Sequence, residues 1–267
     1  MTEILGTKVT ASDIDVTFFE SGTLSNFTVY DDVDDTLVFA QTIHVDLTVF
    51  SLWSRSISID DITLEDAKIN LVSKDSRWNY DHIINNLSGE ESASTDKMED
   101  DRSWDLSINN IAIKNFLLDM VSDSSILSVK IESAKTSIDE HMADFTEIAL
   151  ADLIIEGLRV QQTTKIASTS SKPTQLPYLP FHLTSKNTDL SDIQIIINSE
   201  GAKSTADKFE PNNVNIILDN AQLSHLILSD TISAHVMNAS VSERSGLDIT
   251  SLSGEIEISN SHLNLQR

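Results

Sequence analysis

The feature that most constrains the fold is an apolar pattern that repeats between residues 57 and 71. Apolar residues occur there in pairs, and each pair begins five residues after the one before it. Within a pair the two residues are two positions apart, which is the period of a β-strand with one buried face. The pattern therefore predicts a strand. Its residues are Ile57, Ile59, Ile62, Leu64, Ala67, Ile69 and Leu71.

The five-residue step between pairs predicts a distortion in that strand. Five is an odd number, so in a regular strand successive pairs would point to opposite faces of the sheet. A bulge that adds one residue returns the next pair to the same face. Polar steps separate the pairs at Asp60-Asp61 and Glu65-Asp66. We therefore expect a curving strand with one apolar face and one acidic face.

The same pattern returns in two later blocks, each separated from the last by roughly forty residues, which is a weak internal repeat of the kind found in elongated arrays. Strict alternation also precedes the first block, between Ile43 and Val49, and it resumes after residue 181. The later blocks contain Leu106, Ile108, Ile111, Ile113, Phe116 and Leu118, and then Ile148, Leu150, Leu153, Ile155, Leu158 and Val160.

These patterns predict a mostly β fold with few short helices: an elongated, strongly twisted sheet. Asp81–Leu87 is expected to form a short helical turn. The expected organisation is a β region at 1–87, an acidic flexible loop at 88–104, a β block at 105–160, a polar and Pro-containing linker at 161–180 and a β block at 181–267. We expect one continuous elongated unit that is a segment of a longer protein.

Composition excludes several classes of partner. The chain has 18 Lys and Arg against 42 Asp and Glu, a formal net charge of −24. Nucleic-acid binding needs clustered basic residues, so no nucleic-acid partner is expected, and docking on an anionic membrane surface is disfavoured. The chain contains no cysteine, which rules out disulfides. No apolar run approaches the roughly 20 residues of a transmembrane helix.

The search for catalytic chemistry is mostly negative. The sequence has no nucleophile elbow, no Gly-rich phosphate loop and no helical metal-binding motif. His44 and His182 fall in strand patterns, where a histidine on the polar face is the favoured interpretation. Asp31–Asp35 fits an acidic turn better than a calcium loop, and Glu243–Gly246 fits a hairpin turn. We expect no enzyme activity, no catalytic residue, no metal and no cofactor.

Several stretches resemble a known family. Residues 31–37 form an acidic turn before an alternating strand, Phe50–Trp53 resembles a hydrophobic hinge, and the repeated apolar pairs end in an aromatic-Asn step at Trp78-Asn79. The stretches LPYLPFHLTSKNTDLSDIQI and VSERSGLDITSLSGEIEI resemble the continuation. Together they resemble the N-terminal region of the AsmA-like superfamily, and within it the TamB-type proteins of the long, Bacteroidetes-like sort.

The resemblance implies a bacterial protein that acts in the cell envelope. It implies a periplasmic segment of a protein anchored in the inner membrane, with the anchor absent from this chain. The sheet would fold into a groove of the bridge-like lipid-transfer type and carry phospholipid toward the outer membrane. It also implies an outer-membrane barrel partner, contacted through a C-terminal region that this chain lacks.

The apolar residues of the repeated blocks are the candidate groove lining. The same residues could instead fill an ordinary closed core, and that alternative stays open. The candidates are Ile57, Ile59, Ile62, Leu64, Ile69 and Leu71 first, and Leu106, Ile108, Ile111, Ile113, Ile148, Leu150, Leu153 and Ile155 second.

Three classes of function remain. The first is a lipid conduit between membranes. The second is an assembly factor for outer-membrane barrels, in which an open sheet edge templates a partner strand. The third is a passive envelope-spanning scaffold. The strands carry many Asp and Glu, which discourage promiscuous edge pairing, so we rank the conduit above the assembly factor.

Overall fold

The computed structural model describes most of the chain as strands of one large sheet. The described residues are 5–17, 20–51, 56–75, 77–88, 105–139, 147–165, 182–200, 210, 213–229, 231–259 and 263–266. Within them the predicted fold class is confirmed: the chain is mostly β, and the sheet forms an elongated groove.

The described strands fall in chain order from β1 near the N-terminus to β15 near the C-terminus, with one helix, α1, between β6 and β7. The strands are β1 (Val9–Thr10), β2 (Asp13–Thr17), β3 (Ser21–Tyr30), β4 (Thr36–Ser51), β5 (Ser56–Lys74), β6 (Arg77–Trp78), β7 (Asp105–Val121), β8 (Ser125–Ile138), β9 (Glu147–Glu156), β10 (Arg159–Thr164), β11 (His182–Ser199), β12 (Asn213–Leu228), β13 (Ile232–Glu243), β14 (Leu247–Ile258) and β15 (Leu263–Gln266). Helix α1 is Asp81–Ser88.

The sheet consists of three antiparallel meanders placed side by side. The first is β3–β4–β5, the second is β7–β8 with β9 and β10, and the third is β11–β12–β13. Parallel pairing joins them, between β5 and β7 and between β11 and both β9 and β10. Strands β1 and β2 pair with β3 at one edge, and β14 and β15 extend the other. The two-residue β6 pairs only with the end of β5 among the described strands.

Polar side chains reinforce the two parallel junctions. At the first, the Asn109 side-chain amide donates to Asp60 Oδ1 over 2.9 Å. At the second, Asn187 donates to Asp152 Oδ1 over 3.0 Å. Parallel neighbours in register place equivalent side chains beside one another, so an Asn on one strand meets an Asp on the next. The polar face therefore stabilises the junctions between meanders.

A line of left-handed residues crosses the sheet at one level. Asn26, Asp66, Asn115, Gly157 and Asp192 have φ values between 49° and 66°. Four of them lie in strands that run in one direction, and Gly157 lies between β9 and β10, which run in that direction too; the residues beside them pair across the sheet. Asn, Asp and Gly are the residues that adopt this conformation at least cost. We call this line the crease.

The predicted bulge of the first repeat is confirmed at one of its two polar steps. Asp66 (φ 50°) lies on the crease and separates the pair ending at Leu64 from the pair beginning at Ala67. At the other polar step the register between β4 and β5 shifts, because Leu47 pairs with Ile59 while Asp46 pairs with Asp61. Asp60 is the additional residue there. This extra residue lets Ile62 and Leu64 return to the face of Ile59. At Asp66 the bulge prediction is wrong: Thr42 pairs with Glu65 and Ala40 with Ala67 without a register shift, so Asp66 is a left-handed residue and not an additional one.

Three local predictions are also confirmed. The helical turn at Asp81–Leu87 is α1. The acidic segment after β3 is a turn in which Asp31 Oδ1 accepts hydrogen bonds from the backbone N–H groups of Val33 and Asp35, at 3.0 and 2.8 Å. The segment Glu243–Gly246 is the turn between β13 and β14, closed by the Gly246 N–H and the Glu243 carbonyl at 3.0 Å.

One predicted boundary is wrong. The linker was expected to begin at residue 161, but β10 continues to Thr164. The reason is tertiary: Gln161–Thr164 pair with β8 on one side and with β11 on the other, so the sheet overrides the polar composition. The rest of the predicted linker, residues 166–180, and most of the predicted acidic loop, residues 89–104, lie outside the described residues.

Candidate functional site

Two rows of directly paired residues make up the centre of one sheet face. Residues that pair directly across neighbouring strands project to the same side of the sheet. The first row, row A, runs from β2 to β14 and contains only aliphatic side chains. Its members are Ile14, Leu24, Ile43, Leu64, Ile113, Ala134, Ile155, Leu190, Ala221, Ala239 and Leu252.

The second row, row B, lies two residues away along each of the same strands, except on β13, where a register shift makes the step three residues, and it faces the same side. It is apolar except for two threonines, and it contains a glycine near each end. Its members are Val16, Gly22, Val45, Ile62, Ile111, Thr136, Leu153, Thr188, Leu223, Val236 and Gly254. Rows A and B together are the centre of what we call the apolar face.

The predicted lining residues from the three repeated blocks meet in these rows. Ile62, Ile111 and Leu153 all belong to row B. Their partners two residues along each strand belong to row A. Those partners are Leu64, Ile113 and Ile155.

The lining candidates beyond the crease form further apolar pairs between β5 and β7. Ile69 pairs with Leu118, and Leu71 pairs with Met120 on β7. Ile69 and Leu118 lie three residues beyond the crease, Leu71 and Met120 lie five residues beyond it, and all four side chains are half-buried. Row by row, β5 therefore contributes apolar side chains along nearly its whole length.

The candidates at the opposite end of the strands form two further short rows. Ile59 pairs with Ile108, and Ile57 pairs with Leu106, whose side chain lies outside the described residues. Ile148 pairs with Leu183 on β11. Leu150 differs from the rest because it is only 4% exposed, which makes it a buried position.

Burial along the two rows differs between the two ends of the sheet. From Leu24 to Ile155 the row A side chains are half-buried. Further along, Ala221, Val236 and Ala239 are 2–4% exposed and form a packed cluster. The side chains that pack on this cluster are Leu190, Leu218, Leu223, Leu252 and Ile256.

The opposite face is polar. His44 lies there as predicted, with Nδ1 hydrogen-bonded to Thr23 Oγ1 at 2.8 Å and Nε2 to Asp46 Oδ1 at 3.0 Å. The same face carries the ion pair between Lys114 and Glu65, at 2.6 Å. Charged and hydrogen-bonding groups are thus directed away from the apolar face.

The two threonines of row B differ in their hydrogen bonds. Thr136 Oγ1 donates to the backbone carbonyl of Asp152 over 2.8 Å. Thr188 is 1% exposed, and its Oγ1 has no hydrogen-bond partner. Among the described residues, no group of three or more His, Asp or Glu side chains is placed to hold a metal ion.

Among the described residues, Glu243 has a pKa that departs clearly from its usual value. Hydrogen bonds from the Ser245 side chain and from its backbone N–H, at 2.7 Å, lower the pKa of Glu243 from its usual 4.5. Burial acts in the opposite direction, and the Asn215 N–H and the Arg244 charge add to the lowering. This carboxylate closes the β13–β14 turn and pairs across from Ile216, so its role is structural.

Sequence reasoning missed the outer parts of the apolar face. Alternating residues such as Ile43 and Val45 were assigned to strands but not to the lining. Strand β11 also contributes to the apolar face, but the sequence analysis did not assign it to the lining, because Thr188 and Ser185 interrupt its apolar pattern. The five-residue step is present in β11, since Thr188 and Leu190 lie five residues before Ile193 and Ile195. A search for this step that accepted small polar residues would have found the strand.

Comparison with known families gives one match. The model of the AsmA family matches residues 23–120. The match spans β3 to β7, which is the first meander together with the first parallel junction, and it supports the predicted resemblance to the AsmA-like superfamily. No curated protein was found to match the chain. Within the described residues, none of the helices has the length and apolarity to cross a membrane.

Proposed function

We propose that this chain is a TamB-type segment that carries phospholipid acyl chains along its apolar face. The observation that supports the proposal most directly is the continuity of rows A and B, which cross strands from all three meanders. A filled core of a compact domain would be packed throughout. Here the row A residues from Leu24 to Ile155 are half-buried, which leaves apolar surface to be covered by a ligand.

The chemistry of the two faces fits a lipid. Each methylene removed from water contributes roughly 0.8 kcal/mol, so a strip of aliphatic side chains binds acyl chains without a specific pocket. A phospholipid headgroup would remain in water at the open side of the groove. Movement along the rows changes few contacts, because one aliphatic side chain replaces another. The proposed activity therefore needs no catalytic residue.

The proposed setting is the bacterial envelope. The AsmA family match supports an envelope role in lipid transport or assembly. We assign the chain to the periplasm, in a protein anchored to the inner membrane by a segment outside this chain. Lipid would travel toward the outer membrane, where a barrel protein would be the partner.

The test is native mass spectrometry of the purified chain combined with extraction of bound lipid. Ile111 and Ala112 are neighbours on β7 that face opposite sides of the sheet, which makes them a matched pair. Ala112 pairs with Lys135, so an added carboxylate is tolerated there. We expect phospholipid to co-purify with the wild type and with Ala112→Asp, and to be lost from Ile111→Asp.

Circular dichroism and urea unfolding show whether each variant is folded. A folded Ile111→Asp that keeps its lipid would contradict the proposal, and so would a wild type that takes up no lipid from phospholipid vesicles. If Ile111→Asp unfolds, Ile62→Asp with Thr63→Asp as its control repeats the comparison on β5. Unfolding of both apolar-face variants would assign these residues to a core.

One observation favours strand templating as a second candidate function. Every residue of the edge strand β2 is exposed, and Ile14 and Val16 are 64% and 66% exposed. Such an edge can pair with an incoming strand. Asp13 and Asp15 on the same strand oppose this, because charges on an edge discourage pairing. Two variants separate the functions: Val16→Pro at the edge should block strand addition, whereas Ile111→Asp on β7 should abolish lipid binding and leave strand addition at β2 unchanged.

A further inference from the structure

Row B contains two pairs of identical residues with different burial. Val45 on β4 and Val236 on β13 occupy the same row, yet Val45 is half-buried and Val236 is 4% exposed. Thr136 on β8 is likewise half-buried, while Thr188 on β11 is 1% exposed. Because residue type and row are the same, the difference lies in how closely the surrounding sheet packs.

Row A contains a third such pair. Ala134 lies between Ile113 and Ile155 and remains partly exposed. Ala221 lies between Leu190 and Ala239 and is 2% exposed. A small side chain between two large ones is therefore accessible on β8 and covered on β12.

These comparisons divide the apolar face into two parts. The open section comprises rows A and B from β2 to β9. The neck comprises Thr188, Ala221, Val236 and Ala239, which are 1–4% exposed. Large aliphatic side chains from β11 to β14, including Leu190 and Leu252, pack over the neck cluster.

The open section ends in a mouth at the sheet edge. Ile14 in row A and Val16 in row B are its terminal residues, and they are 64% and 66% exposed. Next to them Gly22 offers no side chain, and a Cβ built there would meet no atom within 4 Å. Apolar surface is thus most accessible at β2 and least accessible at the neck.

The packing of the neck is unfavourable for the Thr188 hydroxyl. Its Oγ1 is buried without a hydrogen-bond partner, which is unfavourable. Thr136, the matched residue in the open section, has its hydrogen bond. A wider neck would give Thr188 access to water or to a polar ligand atom.

We propose that acyl chains enter at β2, bind along the open section and stop at the neck. Six strand spacings separate β2 from β9, about 29 Å at the usual spacing, and the acyl region of one membrane leaflet is about 15 Å thick. The open section is therefore long enough for a whole acyl chain lying along the rows. This inference rests on the proposed function and adds where the chain binds and where its path is closed.

The test uses thiol protection, because the chain has no cysteine of its own. Single variants Val45→Cys and Ala134→Cys probe the open section, and Val236→Cys and Ala221→Cys probe the matched neck positions. The rate of reaction with a small maleimide is measured for each variant with and without oleate. Circular dichroism shows whether each variant is folded. If a variant at a valine position misfolds, the two variants at alanine positions provide the comparison.

We expect the open-section thiols to react readily and to be slowed at least about tenfold by oleate, which corresponds to occupation of about nine sites in ten. The neck thiols should react at least about a hundredfold more slowly than their matched partners, with no change on adding oleate. Equal protection of the open-section and neck thiols would show one continuous binding surface and would contradict the proposal that the path is closed at the neck.

The remaining outcomes separate this inference from the function on which it rests. No protection at any position, with no lipid co-purifying, would reject lipid binding itself. Protection by oleate at the neck alone would overturn the assignment of the open section while keeping lipid binding. Protection that rises with protein concentration and not with oleate would assign the open section to a second copy of the chain.

Discussion

The open section and the neck use the same rows of the same sheet, yet only the neck is packed. Val45 and Val236 share row B, and Ala134 and Ala221 share row A, but the members of each pair differ in exposure. An alternating apolar pattern therefore decides which face a residue occupies. It does not decide whether that face is covered.

Side-chain size explains where the packing occurs. In row A, the open section places Ile43, Leu64 and Ile113 on adjacent strands. The neck places Ala221 directly beside Ala239. Two adjacent small side chains leave room that neighbouring leucines fill, whereas three adjacent large ones hold their neighbours apart. Small residues therefore close this apolar groove, and large ones keep it open.

The largest expected effect comes from placing a charge in each section. Val236→Asp buries a carboxylate in the packed cluster and should lower the free energy of unfolding by about 4 kcal/mol. Val45→Asp in the same row retains access to water and should lower it by about 1 kcal/mol. Urea unfolding of both variants measures the difference. Equal losses would mean that the two sections are packed alike.

The crease is expected to respond to backbone strain in either section. Gly157 has φ 66°, and an added Cβ would lie 2.5 Å from Glu132 Cγ. Gly157→Ala should therefore lower the free energy of unfolding by about 2 kcal/mol. Asp192→Gly on the same crease (φ 52°) relieves the left-handed conformation and should change stability by less than about 0.5 kcal/mol. An unchanged free energy of unfolding in Gly157→Ala would contradict the left-handed conformation assigned to the crease.

The two threonines should respond with opposite signs. Thr188→Val removes a buried hydroxyl without a partner and should raise the free energy of unfolding by about 1 kcal/mol. Thr136→Val removes the hydrogen bond to the Asp152 carbonyl and should lower it by about 1 kcal/mol. Thermal or urea unfolding measures both. A loss of stability in Thr188→Val would show that its hydroxyl is satisfied in solution.

The smallest expected effect is a pH dependence at the turn beside the neck. The pKa of Glu243 is lowered below 4.5 in the folded chain, so its ionised form stabilises the fold at pH above 4.5. That contribution should be lost as the pH falls through the lowered pKa. Wild type should exceed Glu243→Gln in stability at pH 7, and the gap should close in acid. A gap that is constant from pH 7 to pH 3 would contradict the assignment.

Much of the fold could be predicted from the local pattern. The spacing of Ile57, Ile59 and Ile62 indicated a strand with a bulge, because the period of two and the odd step are properties of the strand alone. The turn at Asp31 and helix α1 follow from equally local chemistry. The parallel junctions could not be predicted, because nothing in β5 or β7 specifies which strand lies beside which.

The candidate site was predicted for the repeated blocks and missed elsewhere. Ile62, Ile111 and Leu153 were found because each block shows the full five-residue step. The neck was invisible in the sequence, since Ala221 and Ala239 reveal their role only when β12 and β13 are placed in register. Burial of Leu150 was likewise set by neighbouring strands and not by its own pattern.

The most direct test of the account is a titration with a fluorescent fatty acid whose emission rises in an apolar environment. Wild type and the polar-face variant Thr63→Asp should bind it with the same Kd. Ile62→Asp, the adjacent residue on the apolar face, should bind at least about tenfold more weakly, a difference of about 1.4 kcal/mol. Equal affinity of a folded Ile62→Asp and Thr63→Asp would contradict the claim that the apolar face binds acyl chains.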